Sequence, residues 1–192
     1  MSPPRADDLD ATADEDLVRL FTDSGDSQAL EILLRRHEAR VFGLALRILG
    51  NRADALDAAQ EVFLAVFRRA GSFQHRSAFT TWLYRLTVNA CYDLSRSRSR
   101  RPVPAGDMPV AAVAASSPDE KVVIEQALSA LPGDQRAAVV MRDLYQLSYQ
   151  EISEATGVPA GTVKSRISRA RQALAQKLAA DFQGTGQGGP AV

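Results

Sequence analysis

The sequence predicts an all-α fold of two small helical domains joined by a flexible linker, with a helix-turn-helix in the second domain. Three observations lead to this prediction. Apolar residues recur with the helical period on both sides of the middle of the chain, and no alternating strand pattern competes with them. Residues 101–118 hold four prolines among small residues, a composition typical of a linker. Residues 147–178 read as a capped short helix, a glycine turn and a basic second helix, the order of a helix-turn-helix.

The domain boundaries are predicted where the composition changes. The acidic residues 1–13 and the glycine-rich residues 183–192 are predicted to be disordered tails. Between them, the first domain spans residues 14–100 and the second spans residues 119–182, on either side of the linker. The apolar periodicity, with capping residues before it and glycines after it, predicts four helices in the first domain.

Composition excludes several classes of protein. The 192 residues are 45% hydrophobic and 24% charged, which is typical of a globular protein, and no apolar stretch is long enough to cross a membrane. A single cysteine and two histidines exclude a disulfide framework and a metal site built from Cys or His. The acidic N-terminus does not resemble a secretory signal. We therefore expect a cytoplasmic protein without a cofactor or membrane insertion.

Charge is distributed unevenly although the formal net charge is zero. Residues 1–31 carry nine acidic and two basic side chains, whereas residues 85–101 carry five arginines and one aspartate. Residues 155–180 carry five basic side chains and no acidic one. Two separate basic patches indicate a protein that contacts phosphates at two places, although each patch is also compatible with a solvated helix face.

The proposed helix-turn-helix has local signals for each of its parts. Ser148 and Glu151 have the spacing of a capping box, and Gly157 suits the left-handed end of a short helix. Pro159 suits the start of the next helix, whose outer face is polar and basic. A basic second helix in this motif reads the major groove, and an ordinary pair of helices with a charged face is the alternative. That face comprises Lys164, Ser165, Ser168, Arg169 and Arg171.

The first domain concentrates aromatic residues near a predicted loop at 72–77. Tyr84, Arg85 and Asn89 have spacings that place them on a shared helix face, with Val88 and Tyr92 beside them. Aromatic side chains next to arginines can stack unpaired bases and hold their phosphates, and the loop offers a pocket for an extruded base. Packing in the core is the alternative, and we favour it for Phe79.

The predicted third helix carries a polar face. Asp54, Asp57, Gln60 and Glu61 lie on one side of it. Three carboxylates suggest a metal-dependent nuclease, but no histidine stands among them, and acids at a helix start interact favourably with the macrodipole. We therefore favour a face that binds a helix of a protein partner.

Three motifs in this order resemble the bacterial RNA polymerase sigma factors of the extracytoplasmic-function (ECF) subfamily. The motifs are residues 52–63 (RADALDAAQEVF), residues 79–90 (FTTWLYRLTVNA), and residues 147–152 (LSYQEI) together with residues 161–166 (GTVKSR). The resemblance covers residues 14–178. It implies a non-enzymatic subunit that binds core polymerase, recognises promoters, melts DNA and is held inactive by an anti-sigma factor.

The resemblance also implies roles for individual residues. The third helix would dock on the clamp helices of the polymerase largest subunit through Asp54, Asp57, Gln60, Glu61 and Phe63. The minus-ten element would be recognised and melted by Phe73, Trp82, Tyr84, Arg85 and Asn89. The minus-thirty-five element would be read by Thr162, Lys164, Ser165, Arg166, Ser168, Arg169 and Arg171. A stand-alone helix-turn-helix regulator that never joins the polymerase is the alternative function.

Overall fold

The structure is a computed structural model of the chain, described here over residues 9–73, 77–99 and 118–185. These residues form eight α-helices, one short 3-10 turn and no strand. The helices are α1 (Asp14–Ser24), α2 (Ser27–Leu49), α3 (Arg52–Arg69), α4 (Phe79–Ser99), α5 (Pro118–Ser129), α6 (Gly133–Asp143), α7 (Tyr149–Thr156) and α8 (Ala160–Thr185). The all-α prediction is confirmed. None of the helices in the described ranges is both long and apolar enough to span a lipid bilayer.

Local capping signals set the helix ends of the first domain. The Asp26 carboxylate accepts hydrogen bonds from the backbone N–H groups of Gln28 and Ala29, at 2.9 and 3.2 Å, and so caps α2. Gly50 follows α2 with a φ of 76°, a left-handed conformation that glycine adopts without steric cost. Two residues separate α1 from α2 and α2 from α3, and α2 packs against both of these neighbours.

The core of the first domain lies among α1, α2, α3 and the start of α4. Phe79 is 1% exposed and its ring lies 5.5 Å from that of His37, which is itself buried on α2. The acidic first turn of α1 is attached to α2. The Asp14 carboxylate contacts both Arg36 and His37, and it lies 2.6 Å from the His37 ring nitrogen. The Phe79 backbone N–H donates to the Glu15 carboxylate of α1 at 3.1 Å, so the start of α4 contacts both α1 and α2.

The structure departs from the predicted acidic tail at residues 9–13. Leu9 is 1% exposed and belongs to the apolar core of the first domain. Arg36 donates to the backbone carbonyls of Asp10 and Thr12, each at 3.0 Å. The buried Leu9 and the hydrogen bonds from Arg36 therefore order a segment whose acidic composition alone predicts disorder. The rest of that predicted tail, residues 1–8, lies outside the described residues.

The second domain comprises α5 to α8. The last of these continues to Thr185, beyond the predicted domain end at residue 182, and residues 186–192 of the predicted tail lie outside the described residues. Of the predicted linker, only Pro118 is described, and it begins α5. Residues 74–76 of the predicted loop are likewise not described. The two domains pack against each other, α2 on α5 and α6 and α4 on α7.

Candidate nucleic-acid interface

The helix-turn-helix is built from α7, a glycine turn and α8. The Ser148 backbone N–H and hydroxyl both donate to the Glu151 carboxylate, at 2.8 and 2.7 Å, and the Glu151 N–H donates back to Ser148 Oγ at 3.2 Å. These hydrogen bonds from Ser148 hold the pKa of Glu151 below its usual range. Gly157 has a φ of 70° and ends α7. The sequence signals for this motif are all present in the structure.

Buried apolar side chains fix the angle between the two helices. Ile152 and Ala155 of α7 and Val163, Ile167 and Ala170 of α8 are each at most 1% exposed. Their spacing on α8, every three or four residues, turns the opposite face of that helix away from the domain core. The outward face is therefore defined by packing and not only by charge.

Three predicted DNA-contacting residues lie on this outward face. Lys164, Ser168 and Arg169 are exposed. Arg169 reaches back to Ser165 Oγ at 3.4 Å, and the Ser165 hydroxyl donates to the Thr162 carbonyl at 2.9 Å, so both smaller side chains are partly covered. The exposed lysine and arginine, flanking a small serine, form a surface that can approach phosphates and base edges.

The other two arginines of the predicted set are paired within the domain. Arg166 Nε lies 2.9 Å from the carboxylate of Asp134, and its side chain is only 22% exposed. Arg171 makes a two-pronged contact with Asp143, at 3.1 and 2.5 Å, which raises the pKa of this already basic side chain. Both pairs tie α8 to α6. The charges of Arg166 and Arg171 are therefore partly neutralised by these aspartates. The sequence alone suggests that both arginines contact phosphates.

The predicted minus-ten residues divide into a buried and an exposed group. Phe73 and Trp82 are each 7% exposed and form a three-ring cluster with Phe79, in which the ring centroids lie 5.5 to 5.8 Å apart and Phe73 meets Phe79 edge-on. Tyr84 is 6% exposed, and its burial raises its pKa. Arg85 and Asn89 are exposed. The structure therefore does not present these five side chains as one open surface.

The predicted polymerase-binding face on α3 is mostly open. Asp57, Gln60 and Glu61 are exposed, and Phe63 is half-buried. Asp54 differs, because it is 5% exposed and its carboxylate receives Arg98 at 2.8 Å and the Asn51 side-chain amide at 2.6 Å. This aspartate holds α3 to α4 instead of extending toward solvent.

Sequence reasoning missed an apolar component of the same face. Leu56, Leu64 and Phe67 are 47%, 44% and 58% exposed on α3. The side of α3 that faces the core carries Ala55, Ala58, Ala59, Val62 and Val66. Large apolar residues outside this buried stripe are the sequence signal that identifies Leu56, Leu64 and Phe67 as exposed. A groove of about 350 Å³ between α3 and α4, lined by residues that include Glu61 and Asn89, continues the surface toward the predicted minus-ten residues.

The geometry gives no support to a metal-dependent nuclease. Within residues 9–73, 77–99 and 118–185, no group of three or more His, Cys, Asp or Glu side chains lies close enough to hold a metal ion. Asp54 turns inward to Arg98, whereas Asp57 and Glu61 lie on the exposed face. The three carboxylates on α3 therefore do not converge.

Comparison with known proteins assigns both halves of the chain to one family. Residues 33–101 match sigma-70 region 2, and residues 121–174 match sigma-70 region 4. The chain is 38% identical over 180 residues to the ECF RNA polymerase sigma factor SigE of Mycolicibacterium smegmatis, covering 88% of this chain and 70% of that protein. It is 34% identical over 171 residues to the ECF RNA polymerase sigma-E factor of Escherichia coli K12, covering 80% and 88% respectively.

Solved structures agree with these sequence relationships. The fold superposes on CnrH, solved with the cytosolic domain of CnrY, with a TM-score of 0.67, 27% identity, and coverage of 88% of this chain and 99% of that chain. It superposes on the sigma factor RpoE of Bartonella quintana, solved with the anti-sigma factor NepR, with a TM-score of 0.63, 25% identity, and coverage of 77% and 95%. The motif order, the helix-turn-helix and these relatives together establish that the chain belongs to the ECF RNA polymerase sigma factors.

Proposed function

We propose that this chain is an alternative sigma factor that joins core RNA polymerase through α3 and directs it to promoters through α4 and α8. The observation that carries the proposal is the match of its two helical domains, in order, to sigma-70 regions 2 and 4. The chain would act in the cytoplasm, as a regulatory initiation factor that itself catalyses no reaction.

The α3 surface supports polymerase binding. An exposed apolar stripe beside polar and acidic side chains is the usual composition of a protein-binding face, since solvated helices rarely leave several large apolar residues open. Leu64 and Phe67 supply apolar area, and Asp57, Gln60 and Glu61 supply polar contacts. We assign this face to the clamp helices of the largest polymerase subunit, with Asp54 supporting it from within.

The α8 surface supports reading of the minus-thirty-five element in duplex DNA. Lys164, Ser168 and Arg169 project from the second helix of the motif, the helix that enters the major groove in helix-turn-helix proteins. Thr162 and Ser165 lie behind them. Arg166 and Arg171 contribute through their ion pairs, by keeping α8 rigidly attached to α6.

The α4 surface supports recognition of the minus-ten element. Arg85 and Asn89 are open to solvent and supply a cation and an amide for phosphates and base edges. The aromatic cluster of Phe73, Phe79 and Trp82 packs the first turn of α4 against the first domain, and so stabilises the helix that bears Arg85 and Asn89. Capture of unpaired bases offsets part of the unstacking cost, so that melting needs no nucleotide hydrolysis.

An anti-sigma factor is a further proposed partner. The two solved structures described above contain a sigma factor bound to the anti-sigma factor NepR, and CnrH bound to the cytosolic domain of CnrY. We infer that a protein of this class restrains the present chain as well.

Promoter-specific transcription by the reconstituted polymerase tests the proposal. We expect core polymerase plus the chain to give run-off transcripts from fragments of the source genome, and the Asp57→Ala/Glu61→Ala variant to bind core at least about tenfold more weakly. A matched control replaces two exposed acids on another helix, Glu31→Ala/Glu38→Ala, and should bind normally. Duplex binding without any association with core polymerase would identify a stand-alone regulator instead.

A further inference from the structure

The groove of about 350 Å³ between α3 and α4 is lined by one face of each helix. Its floor is apolar and includes Val62, which has no exposed surface, and Leu86, which is 8% exposed. The polar side chains that line it include Glu61 and Arg69 from α3 and Asn89 and Asp93 from α4. The groove therefore offers both apolar surface and hydrogen-bonding groups to a ligand.

The α3 and α4 helices run antiparallel along this groove. At one end Asp54, near the start of α3, pairs with Arg98, near the end of α4. At the other end Phe73, which follows α3, packs edge-on against Phe79, the first residue of α4, with ring centroids 5.8 Å apart. The end of α3 and the start of α4 therefore lie together, beside the segment that joins the two helices.

The charged groups of the groove are separated along its length. Arg69 is the last residue of α3 and lies at the end beside that joining segment. Glu61 precedes it by eight residues, which is about 12 Å along the helix axis. Asp93 lies toward the same far end as Glu61, and it pairs with Arg96 at 3.5 Å. The end of the groove near Arg69 is therefore the one that attracts a polyanion.

Local hydrogen bonds fix the backbone at Arg69 and leave its guanidinium available. The Ser72 hydroxyl donates to the Arg69 carbonyl at 2.7 Å, and the Phe73 N–H donates to the Ala70 carbonyl at 3.0 Å. The Arg69 side chain is exposed, and no carboxylate in the part of the chain that the structure describes forms an ion pair with it. Arg68 is also exposed, but it points about 100° away around the helix and does not line the groove.

Arg69 and Asn89 have complementary chemistry for one nucleotide. A guanidinium binds phosphate oxygens through several N–H donors, whereas a side-chain amide both donates and accepts and so matches a base edge. Asn89 lies on the opposite wall of the groove, one helical turn from the exposed Arg85 on the same side of α4. The groove is therefore continuous with the surface already assigned to the minus-ten element.

We propose that Arg69 is a further DNA-contacting residue, which binds a backbone phosphate of the nucleotide whose base Asn89 contacts, and that the groove between α3 and α4 receives this nucleotide. This inference rests on the proposed role of α4 at the minus-ten element and adds a contact from α3 to it. Phosphate contacts set the register of a protein on its DNA, whereas base contacts supply specificity. Arg69 thereby places the strand where Asn89 can read it.

Binding of single-stranded DNA to the full chain tests the contact. The probe is a fluorescein-labelled strand of randomised sequence, about 20 nucleotides long, followed by anisotropy over a salt series. We expect Arg69→Ala to bind about fivefold more weakly at low salt and to reduce the slope of log affinity against log salt by about 0.7, the value for one phosphate of a single strand. Arg69→Lys should keep the slope, because lysine retains the charge.

The matched control is Arg68→Ala. It removes the same charge from the same last turn of α3, so both variants lose equal net charge and an equal interaction with the helix dipole. We expect the affinity of Arg68→Ala to stay within about twofold of the wild-type chain, because its charge lies outside the groove and is screened by salt. Equal losses of affinity and slope in the two variants would overturn the proposal, since they would reflect net charge alone.

A double-mutant cycle tests whether Arg69 and Asn89 act on one nucleotide. If they do, removing either side chain releases the nucleotide, so the second substitution costs less than it does in the wild-type chain. We expect the loss of affinity in Arg69→Ala/Asn89→Ala to be at least about threefold smaller than the product of the two single losses. Arg68→Ala/Asn89→Ala is the matched cycle and should give the simple product. Multiplicative losses for Arg69 and Asn89 would overturn the shared nucleotide.

The outcomes separate this inference from the proposed function. Run-off transcription by the wild-type chain, with equal DNA binding by Arg69→Ala and Arg68→Ala, would overturn the role of Arg69 and leave the sigma function in place. Failure of every chain to support run-off transcription, with the Arg69 effects as expected, would overturn the sigma function and leave the groove as a single-strand binding site. Matching helix content by circular dichroism confirms that the variants are folded.

Discussion

Cys91 lies fully buried on α4, in the cluster shared by the two domains. Burial, with a smaller contribution from the nearby Asp54 carboxylate, raises the pKa of the thiol to about 12. Burial likewise raises the pKa of Tyr145 to about 12. Both groups resist losing a proton while the chain is folded, which makes the interface sensitive to alkaline solution.

We predict that the free energy of unfolding falls as the pH rises above about 9. Each folded-state pKa is raised, so the stabilisation is complete below the ordinary pKa, near 9 for Cys91 and 10 for Tyr145, and is lost toward pH 12. Urea midpoints at pH 8 and pH 10.5 measure the loss. Cys91→Ala/Tyr145→Phe should show a smaller decline than the wild-type chain, and an equal decline would contradict the assignment.

The burial of Asp54 is a property of a single residue that could not be predicted from the sequence. Its spacing with Asp57 and Glu61 predicts one polar face, and two of the three acids do lie on an exposed face. The third is buried by Arg98, a residue 44 positions later in the chain, and by the preceding Asn51. Helical periodicity describes one helix at a time, whereas burial depends on which helix packs against it.

At the scale of the element, α7 depends on its capping box. We predict that Ser148→Ala lowers the free energy of unfolding of the second domain by about 1 kcal/mol, because the backbone N–H of Glu151 and the Glu151 carboxylate both lose a partner. Chemical denaturation followed by circular dichroism measures the change. Ser168→Ala, on the exposed face of α8, is the control and should change stability by less than about 0.5 kcal/mol.

The same substitution should alter the acid dependence of stability. Glu151 has a lowered pKa, caused first by the Ser148 hydrogen bonds, so its stabilising effect is present above the ordinary carboxyl pKa of 4.5 and disappears as the pH falls through the folded-state value. Ser148→Ala keeps the backbone N–H, the first cause of that shift, and removes the hydroxyl hydrogen bond, the second, so we expect stability to fall less steeply toward acid pH. An acid dependence as steep as in the wild-type chain would show that the backbone hydrogen bond or other carboxylates dominate it.

The α8 surface permits a comparison of Arg171, which is exposed but ion-paired with Asp143, with the exposed Lys164 and Arg169. We predict that Lys164→Ala and Arg169→Ala each reduce the slope of log affinity against log salt for duplex DNA by about one unit, as expected for loss of one phosphate contact. Arg171→Ala should change that slope less, because Asp143 already pairs with this side chain in the free protein. Fluorescence anisotropy over a salt series measures the slopes, and equal slopes for all three variants would show that the ion pair opens on DNA.

For the whole molecule, sequence patterns predicted the helices and the motif order but not how the two domains meet. The capping box, Gly50, Gly157 and the apolar stripes are local, so each could be predicted from a few neighbouring residues. The contact between Tyr84 and Tyr145 joins residues 61 positions apart across the linker, and no local signal encodes it. For this reason Tyr84 was predicted on an open face and is found under the second domain.

The shared cluster predicts that the two domains unfold together. Trp82 is the single tryptophan and lies in the first domain, so its fluorescence reports that domain alone, whereas circular dichroism reports both. We expect the two urea curves of the wild-type chain to coincide, since the interface couples the domains, and those of Thr81→Val/Tyr145→Ala, which lacks the contacts to Glu151 and Tyr84, to separate. Leu144→Ala, which leaves the interface intact, should keep them coincident. Separate curves already in the wild-type chain would mean that the apolar cluster shared by the domains contributes too little free energy to couple their unfolding.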